Sequence, residues 1–280
     1  MNGFRPNPFL AEQFAATARR LASEREAAAT NVARLLNQTR RHAWPTLVHH
    51  PELSTCGALE RLAKIFEDHC AADPKYSLSV AELAVAVAET LPQGYPKVIL
   101  VQALAAARRD LGRAYRAFAR NHESLDLLFS ADAVLAGQPA LAHERALVRL
   151  DIAVTLQELE RYEDSRQYLA YAKPIFREYG DTRRLTFCAI AEGVLLQRLK
   201  LFREAREVYL VLLSSTESSN AEALAALHQA VGYCSIDLTD YRTAEANLEK
   251  ALVFCPRIRC NNASCEQRSL FGYGRRIGSA

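Results

Sequence analysis

Between residues 95 and 256 the chain repeats a pattern of small and bulky positions with a spacing near 40. Four segments align: LGRAYRAFARNHESLDLLFSA from Leu111, IAVTLQELERYEDSRQYLAYA from Ile152, EGVLLQRLKLFREAREVYLVL from Glu192 and VGYCSIDLTDYRTAEANLEKA from Val231. Each has a small residue early (Gly112, Ala153, Gly193, Gly232) and a second small residue twelve later (Ser124, Ser165, Ala205, Ala244). A bulky residue follows four further on (Leu128, Leu169, Tyr209, Leu248), then a residue of the same face three later (Ala131, Ala172, Leu212, Ala251). Positions i, i+4 and i+7 share one side of an α-helix. The pattern therefore predicts two antiparallel helices per repeat, with the early small residue letting the second helix cross close to the first. An aromatic residue in each of the last three connecting turns, Tyr162, Phe202 or Tyr241, is expected to pack back into its helix pair.

The flanks read differently. Asn7-Pro8 opens a helix expected to run to about His42, since Pro is favoured at a helix start. Its apolar positions are Leu10, Phe14, Ala18 and Leu21, then Val32, Leu35 and Leu36. Trp44-Pro45 ends it, because a residue before Pro avoids the α region. This N-terminal helix, residues 1–45, reads as a cap on the first repeat, with a partner-binding or dimerising helix as the alternative. Residues 46–256 form the repeat region, and a weaker helix pair is readable at its start (Gly57 to His69, then from Asp73). Beyond Pro256 the period is lost, so residues 257–280 read as a disordered basic tail.

The spacing resembles the tetratricopeptide repeat (TPR). The early small residue, the R-Y/F-x-x-A turn and Pro256 twelve after Ala244 all match that family's pattern. The resemblance implies an all-α, right-handed α-solenoid of TPR-like helix hairpins. It also implies a binding role, with the first helices of the hairpins lining a concave groove. Two departures stand out. The period is nearer 40 than 34, and the aromatic residue expected early in the first helix is replaced by Arg108, Arg149, Ala189 and His228.

Composition agrees with helices. Ten Pro and eleven Gly in 280 residues are too few for an all-β chain. The 35 Lys+Arg and 32 Asp+Glu leave a net charge of +3. Both ends are basic and the middle is acidic, which is not the dense basic face that nucleic acid requires. No apolar run approaches the ~20 residues that span a bilayer, and no secretory signal opens the chain. A cytoplasmic protein with reduced thiols is expected. Of seven cysteines, Cys188 and Cys234 fall at core positions. Cys255, Cys260 and Cys265 are spaced wider than most zinc ligands and lack a fourth. His49, His50, Cys56, His69 and Cys70 occur as neighbours that point apart, so no metal or other cofactor is expected.

No phosphate-binding glycine loop and no catalytic motif is present, and no pair of carboxylates takes acid and base roles. The chain is not expected to be an enzyme. The feature above background is a row of arginines, Arg109, Arg113, Arg116 and Arg120, at helical spacing. Gln157, Gln197 with Arg198, and Tyr233 occupy the corresponding positions in later repeats. Arginine pairs with carboxylate through a planar fork, so the expected partner is another protein offering an acidic or C-terminal peptide segment to the groove. The bland alternative is a row of arginines neutralised by local acids. The expected function is a scaffold or adaptor; the alternative is a regulatory sensor array that binds a signalling peptide and controls an effector.

Overall fold

The computed structural model describes residues 8–92, 94–216 and 221–254. Among them are eleven α-helices and two short 3-10 segments, with no strand. The helices are α1 (Pro8–Gln38), α2 (Cys56–His69), α3 (Pro74–Glu89), α4 (Lys97–Ala117), α5 (Asn121–Leu135) and α6 (Ala142–Glu158). They continue as α7 (Tyr162–Glu178), α8 (Thr182–Arg198), α9 (Phe202–Ser215), α10 (Ala221–Asp237) and α11 (Tyr241–Phe254). Each packs on the helix before and the helix after it, and α2, α4, α6 and α8 also touch in succession. The result is an all-α solenoid of five hairpins, with even-numbered first helices and odd-numbered second helices. Helix α1 lies against α2 as each second helix lies against the first helix that follows it.

Local chemistry sets the helix ends. Thr55, Asp73 and Asp181 accept hydrogen bonds from the N–H groups of Ala58, Tyr76 and Arg184, at 3.1, 2.9 and 3.0 Å. These caps satisfy donors that the helix itself leaves unpaired. The turns inside the last four hairpins share one backbone device. Ala119, Glu160, Lys200 and Thr239 have φ of +59°, +59°, +61° and +58°. The next residue's N–H then reaches back five positions: Arg120 to Tyr115, Arg161 to Leu156, Leu201 to Leu196 and Asp240 to Ser235, at 2.9–3.0 Å. This is the Schellman closure, usually built on glycine. None of the four is glycine, at a cost of roughly 1–2 kcal/mol each, and so the turn left no mark in the composition.

Within the hairpins the small residues sit where the pattern put them. A Cβ on Gly112 would lie 3.0 Å from Leu128, on Gly193 2.5 Å from the Tyr209 ring, and on Gly232 2.8 Å from Leu248. Ser124, Ser165, Ala205 and Ala244 are buried on the facing helices. Arg108 and Arg149, at the position where the TPR pattern has an aromatic, bridge instead to the preceding second helix, to Glu89 at 3.2 Å and Asp132 at 2.8 Å.

The N-terminal region departs from expectation at its end. Helix α1 closes at Gln38, and Trp44-Pro45 lies inside a 3-10 segment, Arg41–Leu47. The buried Trp44 indole donates to the Thr39 carbonyl at 3.0 Å and meets Tyr76 edge-on. The second half of α1 buries Ala28, Val32, Leu35 and Leu36 in the first core cluster. A Cβ on Gly57 would fall 2.5 Å from the Glu24 backbone, so α1 and α2 touch main chain to main chain. Tyr95 donates to Glu24 at 2.6 Å and receives the Cys56 N–H, which ties both helices to the segment before α4. Phe14, nearer the start of α1, is exposed. The tail expected at 257–280 lies outside the described residues.

Gly193→Ala should lower stability by about 1–3 kcal/mol, the usual cost of overpacking a filled core. Adding Tyr209→Leu recreates the Ala153–Leu169 pairing of the α6/α7 hairpin. The double variant should therefore lose less than the sum of the two singles in urea unfolding. Additive losses would show that the ring is not what the methyl meets.

Candidate partner-binding face

The arginine row divides in two. Arg109, Arg113 and Arg116 lie on α4, which ends at Ala117. The left-handed Ala119 then turns the chain, so Arg120 stands at the start of α5 and not on the α4 face. There it is exposed, bonded to Glu123 at 2.5 and 2.7 Å, with its guanidinium 3.8 Å above the Tyr115 ring.

The other three are turned between helices. Arg113, only 4% exposed, pairs with Glu67 of α2 and lies 3.4 Å from Asp110. Arg109 bonds Asp110 at 3.1 Å and lies 3.9 Å from Asp151 of α6. Arg116 donates to the Asp151 carbonyl, the Asp151 carboxylate and Thr155, each at 3.2 Å. Three guanidiniums thus meet three carboxylates across α2, α4 and α6. Burial disfavours the charged forms of Arg109 and Arg113, but Asp110, Asp151 and Glu67 outweigh it and raise both pKa values. Burial pushes the Asp110 carboxyl up, against the pull of Arg109 and Arg113. Such a lattice holds because each buried charge has an opposite beside it.

Gln157 and Gln197 repeat the task of Arg116. Arg116 reaches forward to α6. Gln157 donates to the Ala191 carbonyl of α8 at 3.1 Å and to Ser165 at 3.1 Å. Gln197 donates to the Cys234 sulfur of α10 at 3.1 Å while its oxygen accepts from Tyr209 at 2.8 Å. One aligned position therefore clasps α4 to α6, α6 to α8 and α8 to α10. The periodicity located these residues, but pattern alone could not show that their donors turn inward. Arg198 is exposed, and half-buried Tyr233 accepts from Gln229 at 3.1 Å.

Three further groups escaped the sequence reading because their partners come from different hairpins. Asp132 accepts from Arg145 and Arg149, both at 2.8 Å, and Arg149 lies 3.8 Å over the Tyr171 ring. Burial acts against the Asp132 charge, but hydrogen bonds from Arg149 and Arg145 hold the carboxyl below the usual range. Lys173 bonds Glu192 at 2.5 Å. His143 meets Asp181 at 2.9 Å beside Phe176 and Tyr179.

Cys56, Cys70, Cys188 and Cys234 are buried. Burial pushes Cys188 up to about 12, and Cys56 and Cys234 up to about 11, far from reactive thiolates. Cys255, Cys260 and Cys265 lie outside the described residues. Among the described residues no three His, Cys, Asp or Glu side chains gather as a metal site, and no helix is long and apolar enough to cross a membrane.

Stacked hairpins with glycine-to-bulky crossings and a clasp between successive first helices define a TPR-like solenoid. Solved structures share it. BtubC (BKLC) from P. vanneervenii is 16% identical, with a TM-score of 0.60 over 89% of this chain and 94% of its own. A kinesin light chain with nearly identical TPR-like repeats, from Podosopora anserina, is 18% identical, with a TM-score of 0.53 over 76% of this chain and 99% of its own. No family model and no curated protein matches the sequence.

Asp110→Ala leaves two buried guanidiniums short of an acid and should cost about 3–5 kcal/mol, read from the denaturation midpoint; a loss under about 1 kcal/mol would contradict the lattice. Asp132 gives a pH signature. Its folded pKa lies below the unfolded value of about 4, so its contribution is complete above that value and is lost as pH falls through the folded pKa. Asp132→Asn should flatten the acid limb of stability against pH and leave the shape above pH 6 unchanged.

Proposed function

We propose that the chain is a protein-interaction scaffold whose first-helix face receives an extended or helical segment of a partner protein. The supporting observation is the continuous row α2–α4–α6–α8, whose helices are held in register by ionic and amide clasps between them. A row of this kind offers length and shape rather than a cleft with reactive groups. The fold shared with the kinesin light chain repeats is consistent with that reading.

The eight positions marked by sequence take different parts in it. Arg198 and Tyr233 reach the surface and are the direct contacts. Arg109, Arg113 and Arg116 form the cationic end. There an acidic segment would exchange its carboxylates for Glu67 and Asp151, which keep more exposure than the buried Asp110. Gln157 and Gln197 hold the row in register beneath the ligand, and Arg120 borders it from the turn.

A photo-crosslinking amino acid at position 198 or 233, compared with positions 166 and 207 on the exposed sides of second helices, tests this in cells that make the protein. Adducts with one partner from 198 and 233 alone are expected. Equal adducts from all four positions, or adducts from 166 and 207 only, would overturn the assignment.

A further inference from the structure

The last hairpin is built like the others but lacks a described first helix after it. Its side chains record the difference. Ile236 occupies the clasp position held by Arg116, Gln157 and Gln197; it is 41% exposed, whereas Gln197 is 7% exposed. Tyr241 occupies the turn position of half-buried Tyr162 and Phe202 and is 66% exposed. Leu248 is half-buried, whereas Leu128, Leu169 and Tyr209 are buried. The edge is therefore an apolar surface shaped to receive one more first helix.

We propose that residues 257–280 of this chain seat on that edge, in the place of a sixth first helix. The length fits. Helices α8 and α10 begin 39 residues apart and each has 17 residues. The same step places the next one at about 260–276, inside the chain. The register fits as well. Gly272 follows Gly232 by 40 residues, against 41, 40 and 39 for the preceding steps. Phe271 then takes the position of the buried Leu111, Ile152 and Val231, held in the fourth hairpin by the half-buried Glu192. Arg268 falls four before Gly272, as Arg108 and Arg149 fall four before Gly112 and Ala153. Those two arginines each bridge to the preceding second helix.

Charge points the same way. Residues 257–280 carry five Arg and one Glu. Helix α11, the second helix they would meet, presents exposed Glu245 and Glu249. An uncapped solenoid end leaves apolar surface in water, and a segment of matching register and opposite charge tethered directly to it acts at high effective concentration.

Amide hydrogen exchange on the purified full chain, at two concentrations tenfold apart, tests the proposal. Protection of residues 262–276, equal at both concentrations, is expected. Phe271→Asp should then raise exchange at least tenfold in residues 262–276 and at the exposed edge of α10 and α11, with α2–α7 unchanged. Ile236→Asp, altered on the other side of the contact, should release 262–276 in the same way. Exchange of 262–276 at the rate of an unstructured peptide in the unaltered chain would overturn it. So would protection that appears only at the higher concentration, which would make a second copy the occupant.

Discussion

The structure depends on how closely the two helices of a hairpin approach. Where glycine on the first helix meets Leu128, Tyr209 or Leu248 on the second, even a methyl group would lie 2.5–3.0 Å from the facing side chain. A hairpin so tightly closed has used one side of each helix and leaves the other side apolar. That side can leave water only against another hairpin. Stacking is thus a consequence of the crossing, and its repetition produces a solenoid rather than a bundle.

Polar contacts then decide how the hairpins align. Dispersion and burial favour stacking but do not fix a register. The clasp from Arg116, Gln157 and Gln197 to the next first helix does, because each donor would stand unpaired in the core if the neighbour slipped. The clasps change from ionic to amide along the chain. At α4 the position carries a charge and sits in a lattice with three acids, whereas at α6 and α8 it carries an amide among apolar neighbours. The ionic clasp and the amide clasps therefore hold one register with different chemistry.

The helix pairs were legible in the sequence because small and bulky residues must recur wherever two helices cross at one distance. The first hairpin was readable for the same reason, through Ser77, Ala81 and Ala84, all buried. The left-handed turn residues were invisible, since Ala119, Glu160, Lys200 and Thr239 share a conformation and no chemistry. The end of α1 was misplaced because Trp44-Pro45 reads as a stop, yet Pro45 is accommodated in a tight 3-10 segment. For the candidate site, periodicity found the right positions and could not give their direction. Arg113 looked like a solvent-facing cation; Glu67, 46 residues earlier, turns it inward, and a contact of that separation leaves no local trace.

Native-state hydrogen exchange resolved helix by helix tests the central claim, that each hairpin is stabilised mainly by its immediate neighbours. Protection should be highest in α6 to α8 and fall away smoothly toward α2 and α11, in graded steps that follow the stacking order. A single uniform protection from α2 to α11, or a sharp break between two equally protected blocks, would contradict it.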